Sequence, residues 1–329
     1  MTNSPSHIGI ISLGHYVPKR VLTNRDLEKL VETSDEWIVT RTGINERHVA
    51  AKGERTCDMA SLAAQEALAK AGMTADQIEL IIVATATPDH NFPSTACLVQ
   101  KAIGASKAAA FDLSAACSGF LFAFTTAEQF LKTGLYKNAL VIAAEKMTRI
   151  LDWNDRSTCV LFGDGAGACI LAPVKGKSGI LSDYLHAKGE FADMMYVSTY
   201  RKKPCDQANT LIQAPHIIMH GQELFKIAVN SMAEAIEIAA QKAGIKLSDI
   251  DCIVPHQAND RIISAIAKKL DVPKEKVFIN IQKYGNMSAA SIAVALYEAV
   301  EEGRIKKGDT VALVTFGAGL VVAANIVKW

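Results

Sequence analysis

Three short stretches of the sequence carry side chains that could do chemistry. Cys117 stands in Phe-Asp-Leu-Ser-Ala-Ala-Cys-Ser-Gly-Phe, where a short apolar strand turns into a hydrophobic helix. His256 follows an apolar strand in Pro-His-Gln-Ala-Asn, and Asn286 follows a glycine in Tyr-Gly-Asn-Met-Ser. Cysteine-based acyl transfer needs a nucleophile, a nearby histidine and a polar donor for an oxyanion. The three stretches therefore indicate an acyl-transfer site.

Each residue taken alone also has a structural explanation. Cys117 could be an inert buried thiol, because cysteines are often buried as small hydrophobes. His256 could be a hydrogen-bonded structural residue, and Asn286 could be a turn or N-cap residue. The combination favours function. Because the thiolate is the reactive form, we expect the helix N-terminus to lower the pKa of the Cys117 thiol.

An internal repeat supplies the elements that would position these residues. An alanine-rich helix ends at Gly72 and an apolar strand follows from Ile78, and a second such helix ends at Gly244 with its strand from Ile250. The Lys-Ala-Gly triplets and the two isoleucines align at one offset without a gap. Glycine just after the last helical residue is the usual helix C-cap.

The repeat continues through both halves of the chain. A strand at 111–116, a helix to Gly134 and a strand at 138–144 match a strand at 278–282, a helix to Gly303 and a strand from Thr310. Continuous apolar strands that alternate with helices predict α/β sheets covered by helices on both faces. Two such halves, stacked through their central helices, predict a duplicated five-layer α-β-α-β-α fold.

We divide the chain into residues 1–175, which contain the cysteine, and residues 176–329, which contain the histidine and the asparagine. Under the alignment Cys117 and Asn286 occupy nearly equivalent places, so a site shared between the halves follows from the symmetry. Residues 184–221 break the pattern. We expect this segment to form an excursion over the surface or over the pocket.

Composition narrows the function classes. The 329 residues are 50% apolar with a formal net charge of +1, which argues against nucleic-acid or membrane binding as the main task. The seven cysteines show no Cys-x-x-Cys or zinc-type spacing, so we expect free thiols and no metal site. The N-terminus lacks the features of a signal peptide. These observations favour a cytoplasmic protein.

From residue 8 to residue 329 the chain resembles the β-ketoacyl-acyl-carrier-protein synthase III family, thiolase-fold condensing enzymes that start bacterial fatty-acid synthesis. The motifs that carry the resemblance are Thr-Ser-Asp-Glu-Trp-Ile-Val-Thr-Arg-Thr-Gly-Ile-Asn-Glu-Arg from Thr33, Ala-Ala-Cys-Ser-Gly-Phe from Ala115, Phe-Gly-Asp-Gly-Ala-Gly from Phe162, His-Gln-Ala-Asn from His256 and Gly-Asn-Met-Ser-Ala-Ala-Ser from Gly285.

The resemblance implies a decarboxylative Claisen condensation. Cys117 would take the acyl group of a short acyl-CoA, with acetyl-CoA the expected donor, and malonyl-acyl-carrier-protein would then lose CO2 and attack the acyl-enzyme. His256 and Asn286 would donate hydrogen bonds to the thioester oxygen as the enolate forms. The family works as a homodimer and needs no cofactor, since the CoA thioester is a substrate. Residues 92–99 would face the partner subunit.

The resemblance also assigns binding residues. Trp37 and Arg156 would stack on the CoA adenine, Arg41 and Arg261 would lie near the CoA phosphates, and Asn259 near the pantetheine arm. Other positions are implied for the acyl pocket and oxyanion turn, namely Phe92, Phe316 and Ala318. An exposed helix face would dock the acidic carrier protein through Arg261, Lys268 and Lys269, although an ordinary solvated basic face has the same pattern.

Two other functions stay open at this point. A relative on the same fold could use a different acyl starter in secondary metabolism, and a non-catalytic relative could bind acyl groups without reaction. The presence of all three reactive residues argues against the second. Met287 and Ala318 replace the Thr and Gly usual in the family, so the acyl-chain preference stays open. A nicotinamide dehydrogenase fits poorly, because the glycine-rich stretch from Gly163 runs into a strand and not a helix.

Overall fold

The structure, a computed structural model, describes residues 7–197 and 216–329. Its strands, in chain order, are β1 (His7–Tyr16), β2 (Arg20–Thr23), β3 (Glu46–Val49), β4 (Leu80–Ala84), β5 (Ala109–Leu113), β6 (Ala139–Lys146), β7 (Asp164–Val174), β8 (Gly179–Ala187), β9 (Met195–Val197), β10 (Ile217–Met219), β11 (Cys252–Pro255), β12 (Thr310–Gly317) and β13 (Val321–Lys328). The helices are α1 (Asn24–Leu27), α2 (Asp35–Thr42), α3 (Thr56–Ala71), α4 (Thr95–Ile103), α5 (Gly119–Lys132), α6 (Gly221–Ala243), α7 (Asp260–Lys269), α8 (Ile281–Tyr284) and α9 (Ala290–Glu301).

Two main sheets share one plan. The first has the strand order β1-β7-β6-β4-β5 and the second the order β8-β13-β12-β11 when read in the same direction. Strands β4 and β6 of the first sheet run parallel, as do β11 and β12 of the second. The next strand, β7 or β13, is antiparallel to β6 or β12. Small two-stranded sheets join β2 to β3 and β9 to β10. The common order confirms the predicted duplication.

The hydrophobic cores define the layers. One core places α3 and α4 against the outer face of the first sheet, and a second places α6 and α7 against the outer face of the second sheet. A third core gathers α5 and α9 between the two sheets. The arrangement is the predicted α-β-α-β-α stack, because each of the two main sheets buries both faces against helices.

The repeated helices end as the sequence predicts. Gly72 caps α3 at φ 63° and Gly244 caps α6 at φ 70°, the left-handed conformation that glycine adopts without a Cβ penalty. The strands that follow, β4 and β11, are fully buried. The first sheet ends with β7 at Val174 and the second begins with β8 at Gly179. The division at residue 175 stays a prediction.

Two predictions about secondary structure were wrong. Residues 278–282 form no strand: an isolated bridge joins Val277 to Ile253, and α8 follows. The side-chain oxygen of Gln257 accepts the N–H groups of Asn280 and Ile281, so these donors are unavailable for a ladder. The excursion predicted for 184–221 begins later, because β8 runs to Ala187. Residues 198–215 of it lie outside the described residues.

No helix in the described part of the chain is long and apolar enough to cross a membrane. The six cysteines within those ranges are free thiols, five of them buried. Cys97 is the exposed one, so burial as a small hydrophobe does not account for every cysteine.

Candidate active site

Cys117 lies in a single 3-10 turn, Ala116–Ser118, that leads from β5 into α5. Ala116 has φ 45°, a strained value for a residue with a Cβ. Gly317 of the opposite half approaches so closely that a Cβ there would lie 2.9 Å from the backbone nitrogen of Cys117. The turn is therefore held by both halves, and only a glycine fits against it.

His256 follows the last residue of β11. Its backbone N–H donates to the carbonyl of Val314 at 2.7 Å, which extends the parallel pairing by one residue. The side chain is 2% exposed, and its Nδ1 has no hydrogen-bond partner among the described residues. Burial lowers the pKa of His256 to about 4. The imidazole is therefore neutral near pH 7, with one N–H donor and one acceptor nitrogen.

Asn286 lies in a turn that is hydrogen-bonded to residues 161–163 of the first half. Gly285, at φ 63°, precedes it, and a Cβ there would lie 2.8 Å from the carbonyl of Leu161. The Asn286 N–H donates to that carbonyl at 2.8 Å, and the N–H of Gly163 donates to the Asn286 carbonyl at 3.0 Å. Its Oδ1 accepts the backbone N–H of Ser288 at 2.8 Å. The side-chain NH2 group is left as the donor.

The three residues line one cavity of about 140 Å3 together with Phe316. A second cavity of about 220 Å3 meets it at Cys117 and includes Ala318. Met195 lines both cavities. Part of the 184–221 segment therefore covers the pocket, as expected. A groove of about 540 Å3 elsewhere on the molecule contains none of the predicted site residues.

The expected low pKa of Cys117 is not found. The thiol is 5% exposed, and burial raises its pKa to about 11. The side chain of Ser288 and a backbone N–H act in the opposite direction, while the carboxylate of Glu145 raises the pKa further. The backbone N–H at the helix start lowers the pKa in the expected direction, but desolvation of the thiolate outweighs it.

The aromatic and cationic residues predicted for the adenine lie together. The Arg156 guanidinium carbon is 5.3 Å from the centre of the Trp37 ring, and that of Arg41 is 5.8 Å away. Arg156 also donates to the carbonyl of Glu32 at 2.9 Å. Since Arg156 already faces the indole, an adenine can enter between them only if Arg156 moves away.

The predicted pantetheine and carrier-protein residues share one helix. Asn259 caps α7, with its Oδ1 accepting the N–H of Arg261 at 2.9 Å and its Nδ2 donating to the carbonyl of Arg41 at 3.0 Å. It also lines the 140 Å3 cavity. Arg261, Lys268 and Lys269 are all exposed. α7 therefore joins the cavity mouth to a basic surface.

Phe92 does not line either cavity of its own chain. Its side chain is 86% exposed, so within one chain it cannot lie behind the nucleophile. Ala318 adopts no left-handed conformation. The positive φ in its turn belongs to Gly319, at 128°. The replacement of glycine by Ala318 therefore introduces no backbone strain.

Sequence reasoning missed three buried residues around the site. Arg47 is completely buried and donates to the carbonyl of Val160 at 2.7 Å, beside the segment that holds Asn286. Glu145 is also completely buried, and Ser288 is 1% exposed. Arg47 and Ser288 stand inside motifs quoted above, and Glu145 ends an apolar strand. For Glu145 the charge at the end of an apolar run was the available signal, whereas no such signal marks Arg47 or Ser288.

No group of three or more histidine, cysteine or acidic side chains suited to a metal ion occurs in residues 7–197 or 216–329.

Comparisons with known proteins identify the same family in two segments of the chain. Residues 111–189 match the family described as 3-oxoacyl-[acyl-carrier-protein] synthase III, and residues 240–329 match its C-terminal part. The β-ketoacyl-[acyl-carrier-protein] synthase III of Symbiobacterium thermophilum is 52% identical over 98% of both chains. That of Caldanaerobacter subterraneus is 49% identical over 98% of this chain and 97% of its own.

A solved structure extends the similarity to three dimensions. The crystal structure of 3-oxoacyl-[acyl-carrier-protein] synthase III from Aquifex aeolicus matches with a TM-score of 0.92 and 49% identity, covering 98% of this chain and 100% of that one.

Proposed function

Because the chain belongs to the 3-oxoacyl-[acyl-carrier-protein] synthase III family, we propose that Cys117, His256 and Asn286 are its catalytic residues. The reaction is the one that initiates fatty-acid synthesis: the condensation of an acyl-CoA with malonyl-acyl-carrier-protein by an acyltransferase. The observation that carries the assignment of residues is the single cavity between the halves, which all three side chains line.

The first stage transfers the acyl group to Cys117. The sulfur attacks the thioester carbonyl, a carbon–sulfur bond forms, and CoA leaves. Negative charge develops on the carbonyl oxygen in the transition state, and nearby backbone N–H groups can stabilise it. The close approach of Gly317 to the nitrogen of Cys117 supports a role for the Cys117 turn together with the 316–319 turn. Any side chain at Gly317 would separate them.

The second stage forms the enolate of the malonyl group. CO2 departs and leaves charge on the thioester oxygen, which needs donors fixed in advance. His256, kept neutral by its low pKa, offers one N–H over the whole physiological range. Asn286 offers its NH2 group because the backbone N–H of Ser288 occupies its Oδ1. The enolate carbon then attacks the acyl group on Cys117 and releases the thiolate.

Substrate binding is assigned to the surface at the cavity mouth. Trp37, Arg41 and Arg156 would bind the adenine and phosphates of CoA, and Asn259 and Arg261 would lie along the path to Cys117. This order is supported by the hydrogen bond from Asn259 to the carbonyl of Arg41, which joins the two groups. The exposed charges of Lys268, Lys269 and Arg261 suit an acidic carrier protein.

The chemistry requires no metal or further cofactor, because a sulfur nucleophile and neutral donors suffice once CoA activates the acyl group. We place the protein in the cytoplasm and assign residues 1–175 and 176–329 to its two halves. We also assign it as a homodimer. Strand β5 is an edge of the first sheet and is only half-buried, and Phe92, in the loop before α4, is 86% exposed. An unprotected edge of this kind favours pairing with a second copy.

Intact-mass spectrometry tests the assignment. The protein is incubated with acetyl-CoA and then with longer and branched acyl-CoAs, with Cys117→Ser as the control. We expect a mass gain equal to the acyl group on the unaltered protein, and its loss when malonyl-acyl-carrier-protein is added. Absence of any adduct with every acyl-CoA would contradict the proposed function. The acyl-CoA that reacts fastest identifies the preferred chain.

A further inference from the structure

Arg47, on β3, is a buried cation with no part in the steps above. Its side chain is completely buried, and burial lowers its pKa to about 10, so the guanidinium is charged near neutral pH. Its hydrogen bonds within the described residues go to neutral oxygens: the carbonyls of Leu22 at 3.2 Å and Val160 at 2.7 Å, and Oδ1 of Asn24 at 2.8 Å. An apolar side chain in such a place is often as stabilising as a buried charge. Stability alone therefore does not account for an arginine here.

The guanidinium of Arg47 is bonded to the segment that fixes Asn286. The carbonyl that accepts from its Nη2 belongs to the residue just before Leu161, and the carbonyl of Leu161 accepts the N–H of Asn286 at 2.8 Å. The stem of the same side chain borders the turn, because a Cβ on Gly285 would lie 3.4 Å from the Cβ of Arg47, and one on Gly163 would lie 3.1 Å from it. Arg47 thus contacts the Asn286 turn and also holds its anchor.

Asn24 extends these bonds to α2. Asn24 is 1% exposed, and its Oδ1 accepts from Arg47 while its Nδ2 donates to the carboxylate of Asp35 and to the carbonyl of Ile44, both at 2.8 Å. The amide has one workable orientation, since Arg47 can only donate and the other two partners can only accept. Asp35 is the first residue of α2, which also contains Trp37. One side chain therefore links the buried guanidinium to the helix assigned to the CoA adenine.

The second residue assigned to the adenine lies beside the same bonds. Arg156 stands shortly before Val160, in a turn closed by the N–H of Cys159, which donates to the carbonyl of Asp155 at 3.0 Å. Val160 accepts from Arg47 at 2.7 Å. The donors of a guanidinium lie in one plane and point in fixed directions. It can therefore set the spacing of the segments that it joins more closely than an apolar side chain could.

We propose that Arg47 is a positioning residue: it fixes the segment that holds Asn286 and, through Asn24, the start of the helix that carries Trp37. Stabilisation of the enolate needs donors that are in place before the charge develops. Arg47 is not among the described residues that line the two cavities at Cys117, so it acts through Asn286 and not on the substrate. The inference rests on the proposed function of Asn286.

Rates of CO2 release from malonyl-acyl-carrier-protein test the link to Asn286. Arg47→Met keeps an unbranched side chain in the core and removes the guanidinium. In the Cys117→Ala protein, where no acyl-enzyme forms, it should slow CO2 release by about 10- to 100-fold, since a misplacement of about 1 Å can have an effect of that size. Together with Asn286→Ala it should cause no loss beyond that of Asn286→Ala alone, because Arg47 acts through that amide. Losses that multiply would overturn the proposal.

Acylation of Cys117 shows whether the loss is specific to the enolate step. With a short acyl thioester that lacks the nucleotide, Arg47→Met should acylate Cys117 like the unaltered protein, because the oxyanion of that stage is assigned to backbone N–H groups elsewhere. Rapid-quench mass measurements give the rate, and a thermal melt shows whether the variant is folded. A residue that only supported the fold would lower both rates together. Equal losses in acylation and CO2 release would therefore overturn the proposal.

Asn24→Asp separates the two links. A carboxylate at this position still accepts from Arg47, but it cannot donate and it faces the carboxylate of Asp35. The start of α2 should shift while Asn286 keeps its place. We expect KM for acyl-CoA to rise about five- to tenfold, as for the loss of the contact between adenine and Trp37, with CO2 release unchanged. An unchanged KM, or a matching fall in CO2 release, would contradict the proposal.

Two residues outside the described lining of those cavities offer matched controls. Asn138→Asp also keeps an accepted bond, from the N–H of Glu79 at 3.0 Å, and loses a donated one, to the carbonyl of Gln77 at 2.9 Å. Arg304→Met removes another guanidinium that donates to a backbone carbonyl, that of Glu275. Both variants should match the unaltered protein in CO2 release, acylation and KM.

Hydrogen exchange gives a reading that does not depend on activity. In Arg47→Met the peptide that contains Asn286 should exchange faster than in the unaltered protein, whereas the peptide that contains Cys117 should not change. If Arg47→Met does not fold, Arg47→Lys, which keeps the charge but not the planar set of donors, should show the same differences. Unchanged exchange at Asn286 would overturn the proposal. If the unaltered protein neither acylates Cys117 nor releases CO2, the proposed function fails, and the exchange measurement still decides whether Arg47 fixes the Asn286 turn.

Discussion

The turns that carry Cys117 and Asn286 occupy matching places in the two halves. Each contains one non-glycine residue in the left-handed region, Ala116 at φ 45° and Ser288 at φ 49°. Each is also held by the other half. A Cβ on Gly317 would strike the nitrogen of Cys117, and Asn286 is hydrogen-bonded to Leu161. The same geometry thus positions two different functional groups.

The two turns differ in what leads into them. Strand β5 precedes Cys117 and forms the edge of the first sheet, whereas the second half has an isolated bridge at Val277 and the short helix α8 at that place. Loss of the strand lets the chain reach the first half, where the N–H of Asn45 donates to the carbonyl of Gln282 at 3.1 Å. At this place the first half therefore presents a half-buried sheet edge, whereas the second half contacts the first.

Removal of the nucleophile should have the largest effect. It should abolish the activity assigned to the Cys117 turn and leave the activity assigned to the Asn286 turn. Cys117→Ala should lower condensation by at least about a thousandfold, because the acyl-enzyme cannot form. Decarboxylation of malonyl-acyl-carrier-protein should persist, since its donors lie in the other half. CO2 release and product formation measured side by side check this. Loss of both activities would mean that the halves do not act separately.

Removal of the amide donor should have the opposite pattern. Asn286→Ala should slow decarboxylation by about 100- to 1000-fold, the usual loss for one oxyanion donor. Acylation of Cys117 should stay within a few-fold, because the oxyanion of that stage is assigned to backbone N–H groups. Steady-state CO2 release and rapid-quench acylation give the two rates. Equal losses in both would contradict the division between the turns.

The low pKa of His256 predicts that the rate of decarboxylation depends little on pH. With its pKa at about 4, the imidazole stays neutral well below pH 6. Decarboxylation by Cys117→Ala should therefore change by less than about twofold between pH 7.5 and 5.5, whereas a histidine of ordinary pKa would be about nine-tenths protonated at the lower pH. CO2 release across that range is the measurement. A tenfold fall near pH 6.5 would show that burial does not keep His256 neutral.

Among the substitutions, the smallest loss is expected for binding at the cavity mouth. Trp37→Ala should raise KM for acyl-CoA by about five- to tenfold, since an aromatic or cation–π contact contributes about 1 kcal/mol. The rate with a short acyl thioester that lacks the nucleotide should not change. A comparison of kcat/KM for the two donors checks this. Equal losses with both donors would indicate that Trp37 supports the fold and does not bind adenine.

The sequence predicted those parts of the fold that local patterns determine. Apolar periodicity and the caps at Gly72 and Gly244 identified the repeated helices and strands, and the alignment of the halves placed Cys117 near Asn286. The prediction for residues 278–282 was wrong, because an apolar run alone predicts a strand. The side chain of Gln257, distant in sequence, accepts the backbone N–H groups that a strand would need.

The electrostatics of the site could not be predicted, because they depend on burial. The pKa of Cys117 rises in spite of its place at a helix start, since the opposite half covers the thiol. Ser288 lines a cavity with Cys117 only in the folded chain, because the two residues are far apart in the sequence. The exposure of Phe92, in the loop between β4 and α4, also became visible only in the folded chain.

The central claim is that acylation belongs to the Cys117 turn and enolate formation to the His256–Asn286 pair. Intact-mass spectrometry of Asn286→Ala and His256→Ala after acyl-CoA, before and after malonyl-acyl-carrier-protein, tests it directly. We expect an acyl adduct that peptide mapping places on Cys117 and that persists after the second substrate. Absence of the adduct in these variants, or its normal loss on adding malonyl-acyl-carrier-protein, would contradict this division between the two groups of residues.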